Sequence, residues 1–179
     1  WKLDNDPVVG ELTAQARLQA IGRAGVDVII GDSTNAPVAG ASRSEIAVQN
    51  GLQDAIRPCQ QRVVVTCFAS NLARLHSLAE IAFDAGRYAG LLGRSLLTMH
   101  NAGRAQRYLK AQPGFIGPWE LGFLPREQQL WICTGSQGEP AAALARLSSG
   151  SHPHLSLEAG DTVPPVIHHR KTCAPSMGG

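Results

Sequence analysis

Apolar residues in this chain gather in short unbroken runs separated by longer amphipathic stretches. Val63-Val64-Val65 is the clearest run. Three β-branched residues in succession, inside a strand expected over Arg62 to Phe68, imply burial on both faces, as in a parallel sheet. Tyr88 to Leu92 and Gln129 to Cys133 read as further strands, Val26 to Ile30 as a short one, and Asp161 to Val163 as the start of another. Helical patterns fall between them. Leu12, Ala16 and Ile21 mark an amphipathic helix over 11–23 that stops near Gly25. Ser42 or Ser44 caps a helix to about Ile56, which Pro58 ends. From about Asn71 to Ala85, the residues Leu72, Leu75, Ala79, Ala82 and Phe83 share one stripe, and Gly86 supplies the stop. Ser95 to Lys110 reads as mostly helical, weakened at Gly103. Residues 112–125 form a loop-rich connection with a short piece around Trp119, and Pro140 to Leu147 is a helix with Pro140 in its first position. The alternation predicts an α/β fold, a mainly parallel sheet flanked by helices with right-handed crossovers.

Ligands of such sheets sit beyond the carboxyl ends of the strands. Three apolar runs here end in small polar residues: Gly31 to Asn35, Phe68 to Asn71, and Gly135 to Pro140. Turns of that kind suit anionic oxygens, phosphate above all. Asp32 is either a carboxylate that orients a metal ligand or accepts a proton, or a turn residue bonding the amides of Thr34 or Asn35. Ser70 and Asn71 can cap the following helix. Arg74, one turn in, either reaches an anion beside the helix start or pairs with Glu80 or Asp84. In the run from Gly135 to Pro140, Gly135 and Gly138 let backbone approach a ligand, while Ser136 and Gln137 offer polar groups. Glu139 would repel a phosphate, so its expected task is to brace the loop by accepting backbone amides. GxxxxGK[ST] is absent, which argues against a triphosphate P-loop.

Composition narrows the picture modestly. The 179 residues suffice for one domain with a real core, and the shares of 44% hydrophobic and 17% charged residues are those of a globular protein. A net charge of +2 supports no whole-molecule attraction to polyanions. Locally, Arg87, Arg94, Arg104, Arg107 and Lys110 precede the next acid, Glu120. They form either a solvated basic helix face or a contact for nucleic-acid backbone. The four cysteines show no CxxC spacing and are expected as free thiols, with Cys67 and Cys133 buried in strands. His152 and His154 read as surface-loop residues, because no HxHxDH or HExxH accompanies them. No run of apolar residues reaches the roughly 20 needed to span a bilayer, and a cytoplasmic protein without membrane contact is expected.

Six separated motifs together resemble bacterial ribonuclease J over about residues 1–163. They are DSTNA with Ser44-Glu45, RVVVTCFASNLARL at 62–75, GRSL at 93–96, LPR at 124–126, ICTGSQGEP at 132–140 and GDTV at 160–163. That family lies in the metallo-β-lactamase superfamily and carries an inserted β-CASP domain. The resemblance implies a remnant of the first metallo-β-lactamase segment at 1–35 and a β-CASP domain at 36–163; residues 164–179 show neither strand nor helix periodicity and are expected as an atypical, disordered tail. The resemblance also implies a two-zinc ribonuclease, 5′-to-3′ exonucleolytic and in some members endonucleolytic, serving RNA processing and decay, with RNA as partner and a dimer or tetramer as assembly. Asp32 would then be a catalytic or structural residue at the active-site edge. Ser33, Thr34, Asn35, Ser70, Asn71, Arg74, Gly135, Ser136, Gln137, Gly138 and Glu139 would line the RNA channel. The family's HxHxDH motif and TGD aspartate belong before Trp1 and its later histidines after Val163. The zinc ions are therefore expected in the parent protein and none in this chain, which alone would be inactive. After GDTV the family reads IPGNE whereas this chain reads PPVIHHRK, so His168 and His169 are not matched to catalytic histidines. The alternatives are a non-catalytic α/β module that binds RNA or a nucleotide, and a sibling β-CASP hydrolase acting on DNA.

Overall fold

The computed structural model describes residues 3–31, 37, 39, 43–109 and 114–164. At its centre lies a sheet of three strands, β1 (Val63–Thr66), β2 (Tyr88–Leu92) and β3 (Gln129–Cys133), in the order β1-β3-β2. All pairings are parallel, with Val63 opposite Leu130, and Tyr88 opposite Gln129. A strand whose side chains alternate between two covered faces must be apolar throughout. That condition is met: every residue of β1 and β3 is buried.

One face carries Val63, Val65, Cys67, Leu91, Leu130 and Ile132. Against it pack α2 (Glu45–Ile56), through Val48, Leu52 and Ile56, and α3 (Leu72–Asp84), through Leu75, Leu78, Ile81 and Ala82. Leu96 of α4 (Arg94–Ala105) completes this layer. The other face carries Val64, Leu92, Trp131 and Cys133. It is covered by Leu121 of α5 (Pro118–Gly122), by Ala143 and Leu147 of α6 (Ala143–Ser148), and by Leu155. Each fully buried Leu or Ile contributes roughly 1.5–3 kcal/mol relative to exposure. Gly90 in β2 is what lets α5 lie so close, since any side chain there would run into Leu121 and into the Ile116 carbonyl at 3.3 Å.

Helix ends follow local chemistry. The Ser44 side chain accepts from the Ala47 amide at 3.2 Å and the Asn71 side chain from the Arg74 amide at 2.9 Å, so Ser44, rather than Ser42, caps α2. At the end of α3, Gly86 takes φ +66°. Its amide donates to the Phe83 carbonyl and that of Arg87 to Ala82, closing the last turn as a Schellman motif. Gly103 is a contact point: an added Cβ would lie 3.0 Å from Leu72, so its bare surface lets α4 approach α3.

Several expectations need correction. Val26 to Ile30 is not a strand; it lacks a pairing partner among the described residues, and Ile30 is 92% exposed. The helix expected over 11–23 is α1 (Gln15–Ala24), which buries no residue. Phe83 is 68% exposed and lies off the buried stripe of α3, which instead uses Leu78 and Ile81. Residues 106–109 lie beyond the end of α4 at Ala105, and Pro140 precedes the start of α6 at Ala143, in a turn. The strand expected at Asp161 is a single parallel bridge, with Thr162 beside Val63.

The amino-terminal end of the sheet is locked by buried arginines. Arg62 stacks over Trp131 at 4.0 Å and donates to Gln129 Oε1, the Ser156 carbonyl and Asp161 Oδ2. Asp161 Oδ1 also accepts from Arg126 Nη2 at 2.7 Å. Arg87 donates to the carbonyls of Cys59, Gln61 and Gln129.

Candidate nucleic-acid interface

The register brings Thr66, Cys133 and Leu92 level at the carboxyl-terminal edge of the sheet. Each strand then turns toward a helix: β1 through Cys67 to Asn71 into α3, β2 through Gly93 into α4, and β3 through residues 134–142 into α6. The turns after β1 and β3, with the first turn of α4, line an open cleft of about 310 Å³. Its walls include Phe68 and Ala69, Ser95, and Thr134, Gly135, Ser136 and Glu139.

Gly135 and Gly138 adopt φ +122° and +77°, values that L side chains rarely tolerate. Glu139 Oε2 accepts from the Gln137 amide at 3.1 Å, the bracing task expected from sequence. The Gly138 amide donates to the Gly135 carbonyl, and the Leu144 amide to that of Thr134. Thr134 Oγ1 accepts from the Ala143 amide at 3.3 Å, tying the loop to the start of α6. The amides of Gln137 and Gly138 are thus engaged within the loop rather than presented as an anion cradle. The other polar wall of the cleft is the start of α4. Its first turn adjoins the cleft at Ser95, and no side chain caps its Gly93 end. A helix start of this kind favours negative charge.

The sequence-predicted residues are only partly united. Gly135, Ser136 and Glu139 line the cleft, together with Phe68 and Ala69 from the turn that also holds Ser70 and Asn71. Asn71 acts as the cap of α3. Arg74 pairs with Glu45 Oε2 at 3.2 Å, both side chains being largely buried, and not with Glu80 or Asp84. Glu80 instead receives Gln49 Nε2 and His76 Nε2. Asp32, Ser33, Thr34 and Asn35 lie outside the described residues. Ser95 and Thr134 were missed by sequence reasoning, although Gly93-Arg94-Ser95 after an apolar run repeats the strand–turn–helix pattern used to find the other turns.

Burial pushes the thiols of Cys67 and Cys133 up to about 12, although Arg74 pulls Cys67 the other way. Neither is a nucleophile at neutral pH. They face opposite sides of the sheet, in separate cores, which excludes a bridge between them. Arg87 does not belong to a basic face, being buried among carbonyls, whereas Arg94, Arg104 and Arg107 are exposed. Lys110 lies outside the described residues. Among the described residues no group of three or more His, Cys, Asp or Glu side chains can hold a metal ion, and no helix is long and apolar enough to cross a membrane.

Comparison with known proteins agrees with this architecture. Residues 60–167 match the family model "Ribonuclease J, beta-CASP domain". The chain is 39% identical over 163 residues to a Ribonuclease J of Sinorhizobium meliloti, covering 91% of this chain and 29% of that protein. It is 36% identical over 164 residues to the Ribonuclease J of a Synechocystis strain, covering 91% of this chain and 26% of that one. It is 37% identical over 163 residues to the Ribonuclease J of Mycolicibacterium smegmatis, covering 90% of this chain and 29% of that one. The chain therefore spans under a third of the length of these curated relatives. With a matching family model over the parallel sheet and its cleft, the chain belongs to the ribonuclease J family and carries its β-CASP domain.

Proposed function

We propose that this chain is the RNA-holding portion of a zinc-dependent ribonuclease, and that its cleft seats the ribose-phosphate strand beside a catalytic centre built elsewhere in the parent protein. The observation that carries the reading is the convergence of two strand-end turns and the first turn of α4 on one open cleft at the carboxyl edge of a parallel sheet. The relatives' name, Ribonuclease J, supports RNA as the substrate.

In this reading residues 1–35 belong to a metallo-β-lactamase segment, 36–163 to the β-CASP domain, and 164–179 to a tail. The exposed apolar residues Val28, Ile29 and Ile30 support the first boundary, because they are not built into the core of the β-CASP layers. Asp32 then stands at the edge of the catalytic centre, and Ser33, Thr34 and Asn35 extend the strand-binding surface. Ser136 and Ser95 hold phosphate oxygens, Gly135 keeps the wall thin, Gly138 lets the loop turn, and Gln137 offers its side-chain amide to ribose or base. Ser70, Asn71 and Arg74 support the wall from behind; Glu139 holds the loop's shape. Two zinc ions in the parent would supply activated water and charge stabilisation. The described residues offer no donor set that fits them. The parent acts in the cytoplasm as a dimer or tetramer.

Two outcomes are expected. Purified chain binds single-stranded RNA weakly, with affinity falling as salt rises, holds no stoichiometric zinc and cleaves RNA no faster than background. Metal analysis alongside a cleavage assay checks this, and tight zinc binding would contradict it. The second outcome concerns Ser95→Asp. An acid in the first turn of α4 suits the helix dipole, so the melting temperature should hold or rise. A carboxylate at the cleft wall should nonetheless weaken RNA binding about tenfold, and less at high salt. Unchanged affinity in a filter-binding titration would remove the cleft from the RNA path.

A further inference from the structure

We propose that the ring cluster of Trp119, Phe123 and His154 is a base-stacking platform for single-stranded RNA, reached from the sheet-edge cleft along α6. The inference rests on the reading of that cleft as a seat for RNA.

Trp119 is 66% exposed and Phe123 72%, yet their rings are ordered by one another, edge to face at 5.1 Å. His154 meets Trp119 at 6.3 Å, and His152 meets His154 at 6.4 Å. An edge-to-face pair covers one face of one ring, and the large exposure of Trp119 and Phe123 still leaves ring surface for a further π system. Neither large ring is needed to hold α5 down. Leu121, between them in sequence, is fully buried in the sheet's second core, and Glu120 Oε2 accepts the Gly117 amide at 3.1 Å to cap the turn. Trp119 thus projects from α5, and Phe123 from the capping position at its end, while Leu121 already anchors the turn.

The surroundings favour a nucleic-acid strand over an apolar protein partner. Ala142 lines the cleft, α6 runs from Ala143 to Ser148, and the chain then reaches His152 and His154. At about 1.5 Å per residue, six residues span about 9 Å. That length matches two to three stacked nucleotides at about 3.4 Å each. The single charge on this helix is Arg146, which is exposed. Its positive field reaches His152, whose pKa is held below the usual histidine value by burial first, then by Arg146 and His154. A polyanion leaving the cleft would follow a helix without acids, pass Arg146 and meet the exposed rings, where the carboxylate of Glu120 is engaged by the Gly117 amide. Base stacking on such rings tolerates any sequence.

The test titrates the full 179-residue chain with a fluorescent single-stranded oligouridylate that spans cleft and cluster, and with an abasic ribose-phosphate strand of equal length. Trp119→Ala should weaken oligouridylate binding roughly 5- to 100-fold and leave the abasic strand unaffected. Trp119→Phe should restore most of the affinity, and the melting temperature should not change. If Trp119→Ala and Phe123→Ala both bind like the unaltered chain while Ser95→Asp does not, the platform is overturned and the cleft stands. If Trp119→Ala instead converts a sedimenting dimer to monomer without altering RNA affinity, the cluster is a self-association surface and the proposal is wrong. Failure of the unaltered chain to bind either strand would sink both readings.

Discussion

Replacing Asp161 by alanine should destabilise the fold by about 3–5 kcal/mol, the cost of leaving a buried charge without its partner. Only 2% of the Asp161 side chain is exposed. One carboxylate oxygen accepts from Arg62 Nη1 at 2.9 Å and from the Glu158 amide at 2.9 Å, while the other accepts from Arg126 Nε and Nη2. Without it, the buried Arg62 guanidinium keeps Gln129, the Ser156 carbonyl and the face of Trp131, but its nearest anion becomes Glu158, which is 52% exposed and 3.5 Å away. Domains of ordinary size are stable by about 5–15 kcal/mol, so much of the margin disappears. Asp161→Asn keeps an acceptor and loses the charge, and should cost less. Arg126 is more exposed than Arg62, so Arg126→Gln should cost less again. Urea midpoints measured at constant slope separate the three. A midpoint for Asp161→Ala equal to that of the unaltered chain would mean that Arg62 is not held this way.

Gly135→Ala should cost roughly 2–5 kcal/mol, combining backbone strain with overpacking. At φ +122° an L residue is strained wherever it sits. Here the added methyl also meets the Cβ of Leu144 at 2.9 Å and that of Ala142 at 3.1 Å, atoms fixed to the backbone that opens α6. Relief requires the 134–142 loop to lift, which would reshape the cleft and lower RNA affinity as well. Gly138→Ala provides the control. Its φ of +77° is also positive, but a Cβ there meets nothing within 4 Å. Only the conformational cost of about 1 kcal/mol then applies. Equal melting temperatures for the two variants would show that the Leu144 contact is absent in solution.

The core of this fold was legible because strands covered on both faces must be continuous apolar runs, and β1, β2 and β3 stand out as such. The same rule failed at Val26 to Ile30. A strand needs a neighbour to take its backbone hydrogen bonds, and an apolar run alone does not supply one. Phe83 misled for a related reason, since it lies at the edge of an otherwise apolar helix face and no element among the described residues covers it. Arg87 reads like its exposed neighbours, because sequence does not disclose which arginine will meet the carbonyls of Cys59, Gln61 and Gln129. In the cleft, the glycine-rich loop was visible through its special residues. Ser95 was not, because its place depends on β2 lying beside β3, a pairing between segments far apart in the chain.

That sheet order has a consequence for biosynthesis. β3 is the last of the three strands to leave the ribosome, yet it is the one to which both others bond. Until it emerges, β1 and β2 lack the strand that joins them, and Val63 to Val65 should be an aggregation-prone template. Folding should therefore wait for residue 133 rather than proceed strand by strand. A nascent chain stalled before Gln129 should be a strong client for trigger-type chaperones, and one stalled well past Thr162 should not.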